Sequence, residues 1–425
     1  MDIKELYELY SLSYKVVKDT RDEVANTMYF SLKGENFNGN KYALEAVQRG
    51  ANYAIIDEEM YQVDERLILV DDVLTCLQDL ARYHREQLGI PIFALTGSNG
   101  KTTTKELINA VLNKKFNCYA TKGNLNNHIG VPLTLLAMTP EHDFGVVEMG
   151  ANHQFEIEAL CNIALPDYGY ITNFGRVHLE GFGSFEGVIK GKTEMYKYLK
   201  RDRKKVFVNQ LDPIQMKKSK GMERIIFGSD SSDFEVTFLD ADPFVRLLFK
   251  GSEICSQLIG AYNYANIAVS VCVGSYFGIQ YEDIKSAIEA FIPDNNRSQI
   301  IKVDSNKVIL DAYNANPNSM DAAIQNLAGL SDEKKVAILG DMFEIGEDTL
   351  LEHQRIVDQI SLLGLDKVYL IGESFSKTKV EVNEILKFRT FNDFTDHFAS
   401  SSFNKTTFLI KASRGMALER VLDYL

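Results

Sequence analysis

Residues 97–103 read Gly-Ser-Asn-Gly-Lys-Thr-Thr, two glycines, an ammonium and three hydroxyls in one short stretch. An apolar run, Ile92-Phe93-Ala94-Leu95, precedes it, and the periodic residues Leu107, Ile108, Val111 and Leu112 follow. A strand feeding a helix through a glycine turn aims backbone N–H groups and the positive helix end at one spot, which favours an anion. Lys101 adds a point charge there, and Thr102 a hydroxyl suited to a magnesium ion. The common phosphate-loop spacing would put a glycine at Leu95, so the match is to a shorter G-x-x-G-K-T form. A plain turn closing a strand-helix unit is the bland alternative. The placement of strand and helix favours a nucleoside triphosphate, held by Gly97, Ser98, Asn99, Gly100, Lys101, Thr102 and Thr103.

A triphosphate calls for magnesium, and magnesium for oxygen ligands. Glu148 ends the apolar run Phe144–Glu148, and carboxyl ends of strands line the ligand crevice in open α/β sheets. A solvated strand-end acid is the competing reading. "TKGNLNNHIGVP" gathers Asn124, Asn126 and Asn127, amides able to donate to phosphate and carboxylate oxygens without adding charge. Asparagines suit plain turns equally well. His178 stands in a loop past a strand end, followed by Glu180, and a lone histidine is more often structural than catalytic. Lys192 shares a helical stretch with Lys190, Lys197 and Lys200, most of which belong to a solvated face.

The elements that must position these groups follow from the rest of the chain. Its 425 residues imply about three domains, and 45% hydrophobic with 25% charged residues is a globular balance. A net charge of −13 disfavours nucleic acid or an anionic membrane as the main partner. No basic-then-apolar leader follows Met1, and no apolar run approaches the roughly 20 residues that span a bilayer, so a cytoplasmic, monomeric protein is expected. The cysteines at 76, 118, 161, 255 and 272 lie far apart, which argues for reduced and mostly buried thiols.

Residues 1–88 show strands at Met28–Leu32 and Tyr53–Ile56, with helices at Tyr42–Arg49 and Leu74–Leu88, a small α/β domain. Gly89-Ile90-Pro91 is a hinge. Residues 89–295 alternate strands, among them Tyr168–Thr172 and Lys205–Asn209, with helices, the mark of a mostly parallel sheet covered on both faces. "IPDNNRS" marks a second break. Residues 296–425 carry "VILDAY", "KVAILGD", "KVYLIGES" and "TTFLIKAS" separated by helical segments, a Rossmann-like doubly wound unit. The fold class is α/β, in three domains.

Taken in order, these stretches resemble the Mur ligase family of bacterial cell-wall enzymes. "DTRDEVANTMYFSLKGENFNGN" resembles its uridine-nucleotide domain, the phosphate loop through "GAYNYAN" its ATPase domain, and "DAYNANPNSM", "ILGDMFEIGED" and "LIKASRG" its C-terminal domain. "YNANPNSM" and "GDMFEIG" are similar to the branch that adds D-alanyl-D-alanine to a UDP-N-acetylmuramoyl-tripeptide, rather than to members adding single amino acids.

The resemblance implies ATP and magnesium. It puts Lys101 and Thr102 on the phosphates and first metal, Glu148 on metal, and Asn124, Asn126 and Asn127 toward phosphate and acceptor. It implies a second magnesium site at His178 with a carbamylated Lys192. Asn263, Arg297 and Asp311 match adenine or ribose contacts, and Thr20, Arg21, Glu35 and Asn36 the uridine-nucleotide pocket. Asn314, Asn316, Lys411 and Ser413 would face the incoming amine. Three positions depart from the family pattern: Tyr262 for a frequent histidine, Asn296 for a glycine, and Thr20 for a serine. A folylpolyglutamate synthase would resemble this chain mainly from the phosphate loop onward. A nucleotide-gated metallochaperone would need a cysteine or histidine cluster that the scattered cysteines do not offer.

Overall fold

The structure is a computed structural model that describes residues 1–293, 296–399 and 402–425. The break expected at "IPDNNRS", and with it the expected domain boundary at 295, falls partly on residues 294 and 295, outside the described residues. Three main sheets occur in chain order among the described residues, with four, nine and six strands, plus one small hairpin.

The first sheet pairs Val16–Val17, Met28–Phe30, Tyr53–Ile56 and Leu67–Leu69, all parallel. The helix expected over Tyr42–Arg49 is a 3-10 turn at Gly39–Tyr42 that runs on as an α-helix over Ala43–Gln48. Asn38 opens that turn by accepting from the Asn40 N–H. The helix Val73–Leu88 starts on Asp72, whose carboxylate accepts from Thr75 N, and stops at Gly89 in the left-handed region.

In the second sheet the strand Ile92–Thr96 lies between Tyr168–Ile171 and Phe144–Glu148, buried along its whole length. Parallel order runs out to Phe234–Ala241, where Phe244–Phe249 and Ser252–Ile259 add an antiparallel extension. The sequence reading did not resolve that extension. The helical stretch after Ser184 is two helices, Phe185–Lys192 and Glu194–Arg201. Thr193 breaks it, its hydroxyl donating back to the carbonyls of Ile189 and Lys190.

The third sheet runs parallel through Asn306–Asp311, Thr406–Lys411, Lys334–Gly340, Lys367–Ile371 and Ile385–Phe388, with Gln299–Val303 antiparallel at one edge. Five cysteines are free thiols, three of them buried and Cys255 exposed.

Apolar packing ties the first two sheets together. Leu77, Leu80 and Ala81 of the helix Val73–Leu88 join Met28, Phe30 and Ile55 to Val131, Leu135, Ile157 and Leu160 in one cluster. Each fully buried leucine or isoleucine there contributes about 2 kcal/mol. Arg85, from the same helix, fixes the junction with directed bonds. Its guanidinium donates to the carbonyls of Ala164 and Leu165, 3.1 Å each, and to Asp167 Oδ2 at 2.7 Å. It therefore closes the C-terminal end of the helix Glu156–Ala164, where carbonyls lack internal partners.

Arg85→Leu should lower unfolding free energy by about 2 kcal/mol, because the carbonyls of Ala164 and Leu165 lose their donor, while Asp167 keeps Lys204 Nζ and Ile92 N. Denaturant titration checks this, and a loss under about 1 kcal/mol would contradict the assignment.

Candidate active site

Gly97 and Gly100 shape the phosphate loop. At Gly97, φ is +146° and a Cβ would lie 1.9 Å from Thr172 Oγ1. At Gly100, φ is +78° and a Cβ would meet Asn266 Oδ1 at 2.7 Å. Only glycine fits either place. The helix Lys101–Leu112 starts on Gly100 with no side-chain cap, so its first N–H groups are left for an anion. Lys101 Nζ donates to the carbonyls of Gly97 (2.8 Å) and Ser98 (3.3 Å) of its own loop. Burial draws its basicity down, Glu148 opposes that, and Arg297 adds to it.

A cavity of about 1000 Å³ opens over this loop. Its walls include Ser98 to Thr103, Asn124, Asn126, Asn127, Glu148 and His178, and from further along the chain Asn263, Arg297, Asp311, Asn314, Asn316 and Lys411. Residues from distant stretches of sequence thus meet in one enclosure. Gly97 shapes it from behind.

Glu148 is 1% exposed. Its Oε1 accepts from Asn126 Nδ2 at 2.8 Å, while Oε2 is buried with no hydrogen-bond partner. An orphaned carboxylate oxygen beside a cavity lined by the glycine loop fits a cation, and the Thr102 hydroxyl, also in the lining, is a second oxygen donor. The asparagines divide by role. Asn126 backs Glu148, and Gly150 is needed because a Cβ there would lie 2.8 Å from Asn126 Oδ1. Asn127 accepts from the N–H groups of Ile129 and Gly130, opening the helix Gly130–Leu136 in the manner of a turn residue. Asn124 lines the cavity. Buried Lys105 holds this loop, donating to the Thr121 carbonyl at 2.5 Å, and Thr121 Oγ1 accepts from Glu148 N.

His178, at φ +49°, meets Glu344 Oε2 through Nδ1 at 2.5 Å. Burial lowers its basicity, Glu344 opposes that, and Lys101 and Lys192 lower it further. Lys192 is 1% exposed, unlike Lys190, Lys197 and Lys200. Its Nζ donates to the Ala151 carbonyl at 3.0 Å and lies 5.2 Å from the Phe182 ring centre. Burial first, then Lys101, hold its amine well below the ordinary lysine range, against the pull of Glu156 and Glu194. It stands behind the cavity wall that Ala151 and Glu156 form.

On the opposite side Arg297 stacks over Tyr313, 3.6 Å from the ring centre, with its Nε buried and unpartnered. Asp311 accepts from Ser298 N (3.1 Å) and Lys411 Nζ (2.6 Å), so the Lys411 ammonium is committed to an acid. Asn263 bonds Asn266, which accepts from Thr104 of the phosphate-loop helix. Tyr262 lines the cavity and bonds Ser298 at 3.0 Å. Asn296 sits in the left-handed region at φ +57°. Asn316 donates to Asn99 Oδ1 at 2.7 Å. Asn314 accepts from Ala315 N. Ser413, outside the cavity, accepts from Phe343 N and so orients Phe343 on the cavity wall.

Thr20, Arg21, Glu35 and Asn36 lie on the N-terminal domain and do not line the cavity, and Arg21 pairs with Asp19. Sequence reasoning missed Tyr313, Phe343, Glu344, Glu156, Ser298 and Asn318 as wall residues. "DAYNANPNSM" and "GDMFEIG" held four of these six, read as motifs without individual roles.

Two family models match the chain, "Mur ligase middle domain" over residues 95–274 and "Mur ligase, glutamate ligase domain" over 296–413. The chain belongs to the Mur ligase family. Within it, the chain is 33% identical to UDP-N-acetylmuramoyl-tripeptide--D-alanyl-D-alanine ligase of Bacillus subtilis, over 96% of this chain and 92% of that protein. Among solved structures it is similar to MurF from Acinetobacter baumannii, with a TM-score of 0.87 and 29% identity over 96% of this chain and 92% of the other. It is also similar to MurF ligase from Thermotoga maritima in complex with ADP, with a TM-score of 0.86 and 26% identity over 97% of each chain.

Glu148→Gln should weaken magnesium binding in the presence of nucleotide by about tenfold, since the amide keeps the shape and loses the charge. The metal-free variant should melt no lower than the parent, because the orphaned anionic oxygen is gone. Titration calorimetry and thermal melting check both, and unchanged magnesium affinity would remove Glu148 from the metal site.

Proposed function

We propose that this chain is an ATP-dependent amide ligase that joins D-alanyl-D-alanine to UDP-N-acetylmuramoyl-tripeptide in peptidoglycan precursor synthesis. The observation that carries the reading is the single cavity in which the phosphate loop, Glu148 and the asparagine loop face Asn314, Asn316 and Phe343. Nucleotide, carboxylate and amine can meet there. Residues 1–88 would hold the uridine nucleotide through Thr20, Arg21, Glu35 and Asn36, residues 89–295 the ATP, and residues 296–425 the incoming dipeptide. Asn263, Arg297 and Asp311 would contact adenine and ribose, and the enzyme would work in the cytoplasm. No helix among the described residues is long and apolar enough to cross a membrane.

In the proposed reaction a terminal carboxylate oxygen of the tripeptide attacks the γ-phosphorus, the bond to the bridging oxygen breaks, and ADP leaves. The dipeptide amine then attacks the acyl carbon, loses a proton, and expels phosphate. Lys101 and the open helix N-terminus offset the charge of two approaching anions. Asn124 and Asn126 would orient the carboxylate. Magnesium, held by Glu148 and Thr102, would draw further charge from the phosphate oxygens. Seating of residues 296–425 over the glycine loop would limit the access of water to the acyl phosphate.

A second magnesium would rest on His178 and on Lys192 as a carbamate. An ammonium offers donors only, whereas a carbamate offers anionic oxygens. Burial lowers the basicity of the Lys192 amine, which favours the free amine that carbon dioxide needs, the nitrogen bonding the carbon and releasing a proton. In the unmodified protein Lys192 stays bound to Ala151.

Phosphate release should need ATP, UDP-linked tripeptide and D-alanyl-D-alanine together, with single amino acids giving background. Comparable turnover with glutamate and a folate would overturn the reading. Lys192→Ala should lose most activity and regain part of it with a short carboxylic acid at high concentration. Full activity in that variant, or a bare amine in a crystal loaded with magnesium and nucleotide in bicarbonate, would defeat the carbamate.

A further inference from the structure

The segment Asn173–His178 leaves the strand Tyr168–Ile171 and touches two parts of the protein. Toward the phosphate loop, Asn173 accepts from Asn99 N and donates to the Asn99 carbonyl, both at 3.0 Å. Ser98 Oγ accepts from Gly175 N at 2.8 Å and donates to its carbonyl at 3.2 Å. Toward the C-terminal domain, Arg176 N donates to Asn318 Oδ1 at 2.8 Å, and its guanidinium to Glu352 Oε1 at 3.2 Å.

Glu352 belongs to the helix Thr349–Ile360 and is 2% exposed. Its other oxygen accepts from Arg355 at 2.8 Å. One oxygen of a buried carboxylate thus takes its cation from another domain. When the domains part, that oxygen loses its charged partner, a larger penalty than opening a surface pair. Gly175 lies at the point of closest approach, where a Cβ would stand 3.3 Å from each of Asn318 Oδ1, Asn99 Nδ2 and Ser98 Cβ.

We propose that Arg176 is a positioning residue for the ligation, seating the C-terminal domain over the phosphate loop by its bond to buried Glu352. Because Asn173 and Gly175 are fastened to Asn99 and Ser98, a shift of the phosphate loop when ATP enters moves the seat of Arg176. Filling the loop thereby sets the wall that receives the dipeptide. The proposal rests on the ligase reading for its activity assay, and its structural assay does not.

The test uses the full chain with Arg176→Ala, Arg176→Lys, Glu352→Gln and the Ala/Gln double variant. The Arg176 side chain is 56% exposed, so its removal opens no core cavity. Arg176→Ala should lower kcat/KM for D-alanyl-D-alanine about tenfold, as loss of a charge-assisted hydrogen bond does. Affinity for the UDP-linked tripeptide should stay unchanged, Arg176→Lys should recover part, and Arg176→Ala should cost far less in the Glu352→Gln background. Small-angle scattering with a non-hydrolysable ATP analogue alone should show compaction in the parent and a loss of it in Arg176→Ala. A kcat/KM within about twofold of the parent, additive effects in the double variant, or unchanged compaction would each overturn the proposal. Parental protein without turnover would count against the ligase reading, and scattering would still decide the role of Arg176.

Discussion

A triphosphate and a carboxylate repel each other, and an ATP-dependent amide ligase needs a cavity that brings them within bonding distance. Each positive or donating element at its floor answers that one constraint: the uncapped helix end after Gly100, Lys101 and the cation site implied by the unpartnered Glu148 oxygen. Lys101 turns back onto the carbonyls of Gly97 and Ser98, and Glu148 keeps one oxygen bare. Phosphate and a cation would give these two groups partners of opposite charge.

The two domain junctions differ in kind, and the difference suits the task. Between residues 1–88 and the central sheet the junction is apolar and continuous, locked by Arg85 on the end of a helix. Between the central and C-terminal domains Ile259 and Phe244 pack with Ile309 and Met320, while around the cavity the contacts are polar, among them Asn99 to Asn316, Arg176 to Asn318 and Glu352, and His178 to Glu344. Apolar interfaces are costly to open in water, while polar contacts exchange partners with solvent except where, as at Glu352, the partner is buried. Under the proposed function, a nucleotide-sugar site on the first domain would stay registered to the glycine loop, and the C-terminal wall would be the one to open for exchange of substrates and products.

Much of this was legible in the sequence because it depends on local rules. A buried strand before a glycine turn and an apolar-periodic helix after it located the phosphate loop, and the strand ending at Glu148 located an acid beside it. What stayed hidden depends on tertiary packing. Lys192 looks like its solvated neighbours in sequence; only the Thr193 break and the burial of Phe182 and Ala151 around it separate it from Lys190 and Lys197. The antiparallel extension through Phe244–Phe249 carries no signal that distinguishes it from further parallel strands. Asn127 illustrates why residue type alone leaves roles open, since beside Asn126 it serves a helix end while its neighbour serves Glu148. Glu344 and Phe343 reach the cavity only because Ser413 and the C-terminal sheet present their loop to it.

The most direct measurement follows oxygen. With the terminal carboxylate of the UDP-linked tripeptide labelled with oxygen-18, attack of that carboxylate on the γ-phosphorus moves one labelled atom into the phosphate released at each turnover. Mass spectrometry of the products should find one label in phosphate, one retained in the new amide, and none in the nucleotide. Unlabelled phosphate, or label in AMP, would contradict activation of the carboxylate at the phosphate loop.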